Sequence, residues 1–176
     1  MNLDKLKHIR LLLLDADGVL TDGGIIYNDN GLETKCFNVK DGLGIRLLME
    51  AGIKVGIVTG RHSEALSHRC RNLGITHVFE GVRDKAAVLD LILDKTEISA
   101  NEIAFVGDDL LDISIMKLVS VSIAVADAHE TVIKHSDIVT QKKGGDGAVR
   151  EVCEAILKSQ GLWEKFLKRF CEPVRE

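Results

Sequence analysis

Residues 11–18 read Leu-Leu-Leu-Leu-Asp-Ala-Asp-Gly, four consecutive apolar side chains followed by two aspartates and a glycine. A short, unbroken apolar run is typical of a strand that is buried on both faces of a parallel sheet. Asp15 and Asp17 are two residues apart, so their carboxylates face the same side while the chain stays extended. Gly18 then allows a sharp turn. The stretch therefore predicts a buried strand that ends in an acidic site.

Short apolar runs and amphipathic helical stretches alternate along the rest of the chain. This alternation predicts an α/β fold, a Rossmann-like open parallel sheet with helices on both faces. The predicted strands are 9–14, 54–58, 77–79, 103–106, 120–125 and 137–139, and the predicted helices are 43–51, 63–73, 85–96, 110–118 and 149–160.

One segment after the first strand interrupts the alternation. Gly24–Tyr27 and Glu33–Asn38 have the pattern of two short strands around a turn-forming cluster at residues 28–31. We predict a β-hairpin flap over about residues 22–38. The chain leaves no room for a separate cap domain.

The whole chain, residues 1–176, is predicted to form one domain that closes with a helix and tail over about residues 147–176. The charged tail after Trp163 is expected to be loosely ordered. The formal charge of −4 gives no general attraction for nucleic acid or an acidic membrane. No apolar run approaches the length of about 20 residues that spans a bilayer, so we expect a cytoplasmic protein. Its four widely spaced cysteines are expected to be free thiols.

Polar residues follow several predicted strands at the same edge of the sheet, where ligands of open α/β sheets bind. Besides Asp15 and Asp17, these are Thr59-Gly60-Arg61, Asp108-Asp109, and Lys85 at the predicted start of a helix. Each group has a structural alternative. Asp15 and Asp17 could lie in a solvated turn, and Asp108-Asp109 could cap a helix. Lys85 could be an ordinary surface lysine. Their coincidence at one edge favours a site that binds a hard cation and an anion.

Four segments, in this order, resemble the motifs of the haloacid dehalogenase superfamily of phosphohydrolases. They are DADGVLTDG at 15–23, VTGR at 58–61, RDK at 83–85 and GDDLLD at 107–112. Two longer segments are similar to the branch of this superfamily that hydrolyses 3-deoxy-D-manno-octulosonate 8-phosphate for the lipopolysaccharide inner core. They are FNVKDGLGIRLL at 37–48 and GGDGAVREVC at 144–153.

The resemblance implies an aspartyl-phosphate mechanism with Mg²⁺ as cofactor. Asp15 would be the nucleophile and Asp17 the general acid and base, while Thr59 and Lys85 would bind the transferring phosphoryl group. The side chains of Asp15 and Asp108 and the backbone carbonyl of Asp17 would hold the metal. Two further aspartates, Asp109 and Asp112, are expected to support these ligands.

The resemblance also implies which residues bind the phosphosugar, besides Asp17 and Lys85. They are Asn38, Val39, Lys40, Asp41, Gly42, Arg46, Arg61 and Arg69. Arg61 and Arg69 are eight residues apart and are expected on one helical face, where they would recognise an anion together. A solvated helix face is the alternative for Arg46 and Arg69.

Two positions depart from the family pattern. Asp146 stands where arginine is expected, which leaves the contribution of this loop to substrate binding open, and Glu130 stands where proline is usual.

Three other functions remain open at this point. One is a phosphatase of a related nine-carbon sugar-acid phosphate, and Arg61 favours the eight-carbon substrate. Another is a phospho-acceptor receiver domain, although its acidic pair and acceptor would come in a different order along the chain. The third is a phosphosugar-binding protein without catalysis. The resemblance further implies a homotetramer in which each hairpin covers a neighbouring subunit's site.

Overall fold

The computed structural model describes residues 3–172. The strands are β1 (Leu11–Leu14), β2 (Ile26–Tyr27), β3 (Glu33–Thr34), β4 (Lys54–Val58), β5 (His77–Phe79), β6 (Ile103–Gly107), β7 (Val121–Ala124) and β8 (Ile138–Val139). The helices are α1 (Val39–Glu50), α2 (Glu64–Leu73), α3 (Leu89–Thr96), α4 (Ile113–Met116), α5 (Glu130–His135), α6 (Ala148–Ser159) and α7 (Trp163–Cys171). Short 3₁₀ turns form at Leu3–Leu6, Ala100–Glu102 and Leu110–Asp112.

Six strands form one parallel sheet in the order β5-β4-β1-β6-β7-β8. Helices flank this sheet, which confirms the predicted fold class. The order runs outward in both directions from β1, so the sheet has its topological switch point between β1 and β6. In this register Leu14, the last residue of β1, pairs with both Ile57 and Val106. The residues that follow these three strands are therefore neighbours at one edge.

The core is centred on β1, whose four leucines are fully buried. Helices α1 and α6 pack against each other, and Gly44 makes their close approach possible, since a Cβ there would press on Arg150 and Cys153. The buried carboxylate of Asp41 joins the same two helices: its Oδ1 accepts a hydrogen bond of 2.7 Å from the backbone N–H of Arg150, in the first turn of α6. Asp41 thus caps a helix that is distant in sequence.

The predicted hairpin is formed by the antiparallel pair β2 and β3. Asn28 begins its turn, with Oδ1 accepting from the backbone N–H groups of Asn30 and Leu32. The apolar side chains of Ile26 and Tyr27 remain more than half exposed. The hairpin therefore presents apolar surface that nothing in residues 3–172 covers.

Several predicted boundaries are wrong. Helix α1 begins at Val39 and not at residue 43, and the predicted helix 110–118 is a 3₁₀ turn followed by the short helix α4. The predicted helix 85–96 begins only at Leu89, because residues 85–88 form a turn that turns Lys85 inward toward buried carboxylates. The tail after Trp163 is helical as far as Cys171, with Phe166 buried against the core, so its apolar face orders it. The predicted tail continues past residue 172, outside the described residues.

Within residues 3–172, no helix combines the length and apolar character that crossing a membrane would need. The four cysteines are free, as expected; Cys70 and Cys153 are buried, and Cys36 and Cys171 are exposed.

Candidate active site

Three carboxylates meet at the switch point of the sheet. Asp15 directly follows β1, and its backbone N–H donates to the carbonyl of Val106 in β6 over 3.0 Å. Asp108 follows β6, and Asp112 ends the 3₁₀ turn after it. One carboxylate oxygen from each of these aspartates lies within 4.8 Å of the others. The adjacent pocket of ≈ 300 Å³ is lined by Asp15, Asp17, Gly23, Thr59, Gly60, Arg61, Lys85, Asp108, Asp109, Leu111 and Asp112.

Lys85 supplies the buried positive charge of this cluster. Its Nζ lies 2.8 Å from Oδ1 of Asp15 and 2.6 Å from Oδ1 of Asp112. Burial disfavours the charge on the ammonium group, but the two carboxylates outweigh it and raise the pKa of Lys85. The lysine thus stays charged at the centre of the acidic cluster.

Asp112 supports the loop that carries Asp108. Its Oδ2 accepts hydrogen bonds from the backbone N–H groups of Asp108 (2.9 Å) and Asp109 (3.1 Å), while its Oδ1 pairs with Lys85. Asp109 caps the following turn, because its Oδ1 accepts from the N–H of Leu110. Both oxygens of Asp112 are thus engaged within the chain, which suits a supporting role.

The side chain of Asp108 is not compensated in this way. Its Oδ1 is buried and has no hydrogen-bond partner among residues 3–172. Burial, and after it the charges of Asp15 and Asp112, raises the pKa of Asp108 to about 8. Burial also raises the pKa of Asp15 to about 6, against the opposing charge of Lys85. A buried, unpaired carboxylate oxygen beside a second carboxylate fits a divalent cation with oxygen ligands, such as Mg²⁺.

Gly18 brings the backbone close to this carboxylate. Its backbone φ is +85°, a value that residues other than glycine rarely adopt. A Cβ at this position would also overlap the carboxylate of Asp108. The glycine of the first motif is therefore required for the site's geometry.

Thr59 and Arg61, which follow the end of β4, also line the pocket. Thr59 is buried, with its N–H donating to Phe79 and its carbonyl accepting from Val82. Arg61 lies before α2, since Ser63 caps that helix. The expectation that Arg61 and Arg69 share a helical face is therefore wrong, because only Arg69 is in the helix.

The hairpin contributes two residues that the sequence reasoning missed. Glu33 accepts from Nη2 of Arg61 over 2.6 Å, and Lys35 forms an ion pair with Asp17. Side chains two residues apart along an extended segment face the same side, so Glu33 and Lys35 both point toward the pocket. That alternation was the only available signal, since charged residues in a hairpin are usually solvated.

Most of the other predicted substrate-binding residues lie away from the acidic pocket. A separate groove of ≈ 310 Å³ is lined by Val39, Gly42, Leu43, Arg46, Arg69 and Leu73. Asn38 caps α1, Lys40 is exposed, and Asp41 caps α6. Arg46 donates to the carbonyl of Asn72, and Arg69 donates to that of Asn38.

Asp146 changes the electrostatics beside this groove. Burial raises the pKa of Asp41, and the negative charge of Asp146 acts in the same direction. An arginine at position 146 would have the opposite effect.

Comparisons with known proteins agree with this arrangement. The profile of haloacid dehalogenase-like hydrolases matches residues 76–152. The chain is 48% identical over 157 residues to the 3-deoxy-D-manno-octulosonate 8-phosphate phosphatase of Escherichia coli K12, covering 89% of this chain and 84% of that protein.

Two solved structures are also similar. One is the same phosphatase from Yersinia pestis, with a TM-score of 0.90, 44% identity, and coverage of 92% of this chain and 88% of that one. The other is the Moraxella catarrhalis phosphatase in complex with magnesium, phosphate and KDO, with a TM-score of 0.93, 43% identity, and coverage of 96% and 97%. The acidic switch point and these likenesses together show that the chain belongs to the haloacid dehalogenase-like hydrolase family.

Proposed function

We propose that the protein is a Mg²⁺-dependent phosphatase that hydrolyses 3-deoxy-D-manno-octulosonate 8-phosphate to the free sugar acid and phosphate, in the synthesis of the lipopolysaccharide inner core. The observation that carries this proposal is the buried Asp15, which pairs with Lys85 and lies close to Asp108, whose Oδ1 has no hydrogen-bond partner among the described residues. The proposal is supported by similar proteins that are phosphatases of this substrate, and the crystal structure of one of them contains magnesium, phosphate and KDO. Hydrolysis of a small phosphosugar fits the cytoplasmic location that the sequence predicts.

The side chains of Asp15 and Asp108 and the backbone carbonyl of Asp17 would hold Mg²⁺. The ion supplies positive charge that offsets the repulsion between these carboxylates and a phosphate dianion. Asp109 and Asp112 would keep the ligand loop in place through the hydrogen bonds described above.

The nucleophile in this proposal is Asp15. With a pKa of about 6 it is mostly ionised at neutral pH, so its carboxylate can attack phosphorus and form the aspartyl-phosphate. Lys85 and Thr59 stabilise the transferring phosphoryl group by charge and by hydrogen bonding. Asp17 gives a proton to the departing sugar oxygen and then takes one from the water that hydrolyses the intermediate.

The sugar acid would be bound by Arg61 in the pocket and by the separate groove with Arg46 and Arg69. The groove and the acidic pocket share no lining residue within one chain. We propose that neighbouring subunits combine them. A homotetramer in which the hairpin covers a neighbour's pocket would also bury Ile26 and Tyr27.

A phosphate-release screen over sugar-acid phosphates tests the proposal. We expect turnover of the eight-carbon substrate with Mg²⁺ and much slower turnover of nine-carbon analogues. Asp15→Asn serves as the control, because an amide cannot form the acyl phosphate. Preference for a nine-carbon phosphate would reassign the substrate. Phosphate uptake on Asp15 without release would instead assign a receiver-like role, and sugar binding without turnover would assign a binding protein.

A further inference from the structure

We propose that Lys35, from the chain's own hairpin, is a positioning residue that holds the carboxylate of Asp17 in place for proton transfer. This inference rests on the proposed function, in which Asp17 is the acid and base. It adds to the hairpin's expected role as a cover over a neighbouring subunit, because it gives the hairpin a task within its own site.

The ion pair between Lys35 and Asp17 is sheltered. Nζ of Lys35 contacts Oδ1 of Asp17, and the lysine side chain is only 1% exposed. A lysine is rarely buried to this extent unless its charge is paired, since desolvation of the ammonium group is costly. The pairing with Asp17 is therefore a built feature and not a chance surface contact.

Glu33 anchors the lysine from the same hairpin. Its Oε1 lies 3.4 Å from Nζ of Lys35 and 2.6 Å from Nη2 of Arg61. Its Oε2 accepts a hydrogen bond of 2.5 Å from Ser63, the residue that caps α2. The lysine is thus tied through Glu33 to the body of the protein.

The second oxygen of Asp17 faces a second cation. Nε of Arg61 lies 3.7 Å from Oδ2 of Asp17, so the carboxylate lies between Lys35 and Arg61. Each catalytic aspartate consequently has its own lysine, Lys85 for Asp15 and Lys35 for Asp17. Proton transfer requires the carboxyl group of Asp17 to lie within hydrogen-bond reach of the reacting oxygen. Loss of the ion pair with Lys35 would therefore weaken catalysis while leaving the substrate contacts in place.

A double-mutant cycle between Lys35 and Asp17 tests the inference. Lys35→Met should lower kcat on the sugar-acid phosphate by roughly ten- to a hundredfold, with KM changed less than about threefold. Lys35→Arg should restore part of the loss. In the Asp17→Asn background, Lys35→Met should have little further effect, because the lysine acts through that carboxylate. Lys134→Met is the control, since Lys134 is an exposed lysine whose ion pair with Glu130 lies at the surface.

Circular dichroism and light scattering should show that each variant keeps the fold and assembly of the parent. Lys35→Gln provides a second substitution, so the cycle does not depend on how one variant folds. Equal losses with and without Asp17, or a rise in KM alone, would overturn the positioning role. Failure of the unmodified protein to release phosphate would instead refute the proposed function, so the two outcomes are distinguishable.

Discussion

Nζ of Lys85 lies 2.8 Å from Oδ1 of Asp15, and both groups are buried at the edge of the sheet. The same ammonium group pairs with Asp112, so a single cation compensates two buried carboxylates.

Replacing Lys85 with Met should therefore destabilise the fold as well as abolish turnover. Removing one partner of a buried ion pair costs about 3–5 kcal/mol. Urea unfolding should show this loss, and added Mg²⁺ should recover part of it by compensating the same carboxylates. The exposed Lys134→Met variant should unfold like the parent. Unchanged stability in Lys85→Met would contradict the charge balance described here.

Binding of Mg²⁺ should weaken as the pH falls. The pKa of Asp108 in the metal-free protein is about 8, so its carboxylate is mostly protonated at pH 6 and about half ionised at pH 8. Protons and metal compete for this oxygen, and calorimetric affinity should drop by roughly one to two powers of ten between pH 8 and pH 6. Asp108→Asn should bind weakly at both. Equal affinity at the two pH values in the parent would count against Asp108 as a ligand.

Gly18→Ala should impair metal binding while leaving the sheet intact. The new Cβ would overlap the carboxylate of Asp108, and the backbone φ of +85° is strained for alanine. Calorimetry should show weaker Mg²⁺ binding with unchanged circular dichroism. Gly31→Ala is the matched control, because Gly31 also has positive φ but has open space around it. If both variants bind Mg²⁺ equally well, the close approach of Gly18 has no role in the site.

Arg61→Ala should reduce turnover of the sugar-acid phosphate far more than turnover of an aryl phosphate. A charge-assisted hydrogen bond to the substrate's anionic group is worth about 1.5–3 kcal/mol, or roughly one to two powers of ten in kcat/KM. Arg61 also holds Glu33, so Glu33→Gln should be measured alongside it. Similar losses on both substrates would place Arg61 at the phosphoryl group or in a structural role.

Deleting the hairpin tip, residues 29–31, should impair assembly and turnover together. The tip joins strands whose exposed Ile26 and Tyr27 would contact a neighbouring subunit. Light scattering should show a tetramer for the parent and smaller species for the deletion. A parent that is a fully active monomer would refute the shared site.

The sheet was largely predictable because its strands are short apolar runs with polar ends. The prediction of Lys54–Val58 matches the structure, and so does that of His77–Phe79. The start of α3 was not predictable, because Lys85 turns into the acidic cluster to pair with Asp15, which is distant in sequence. Local pattern contains no information about such a contact.

The candidate site divides in the same way. Asp15 and Asp108 follow strands that the pattern identified, so their meeting was predictable once a parallel sheet was assumed. Lys35 lies in the hairpin, directly after β3, and its burial against Asp17 depends on how the hairpin folds back onto the sheet edge. The roles of these residues stay predictions that the experiments above address.

Asp15 and Asp108 are separated by more than half the length of the chain, yet they follow strands that are hydrogen-bonded neighbours. No partly folded chain that lacks the pairing of β1 with β6 can offer both oxygens to one ion. A bound metal would therefore stabilise the folded protein and would not nucleate its folding. If β1 and β6 pair after the transition state for folding, Mg²⁺ would slow unfolding and change the rate of folding little.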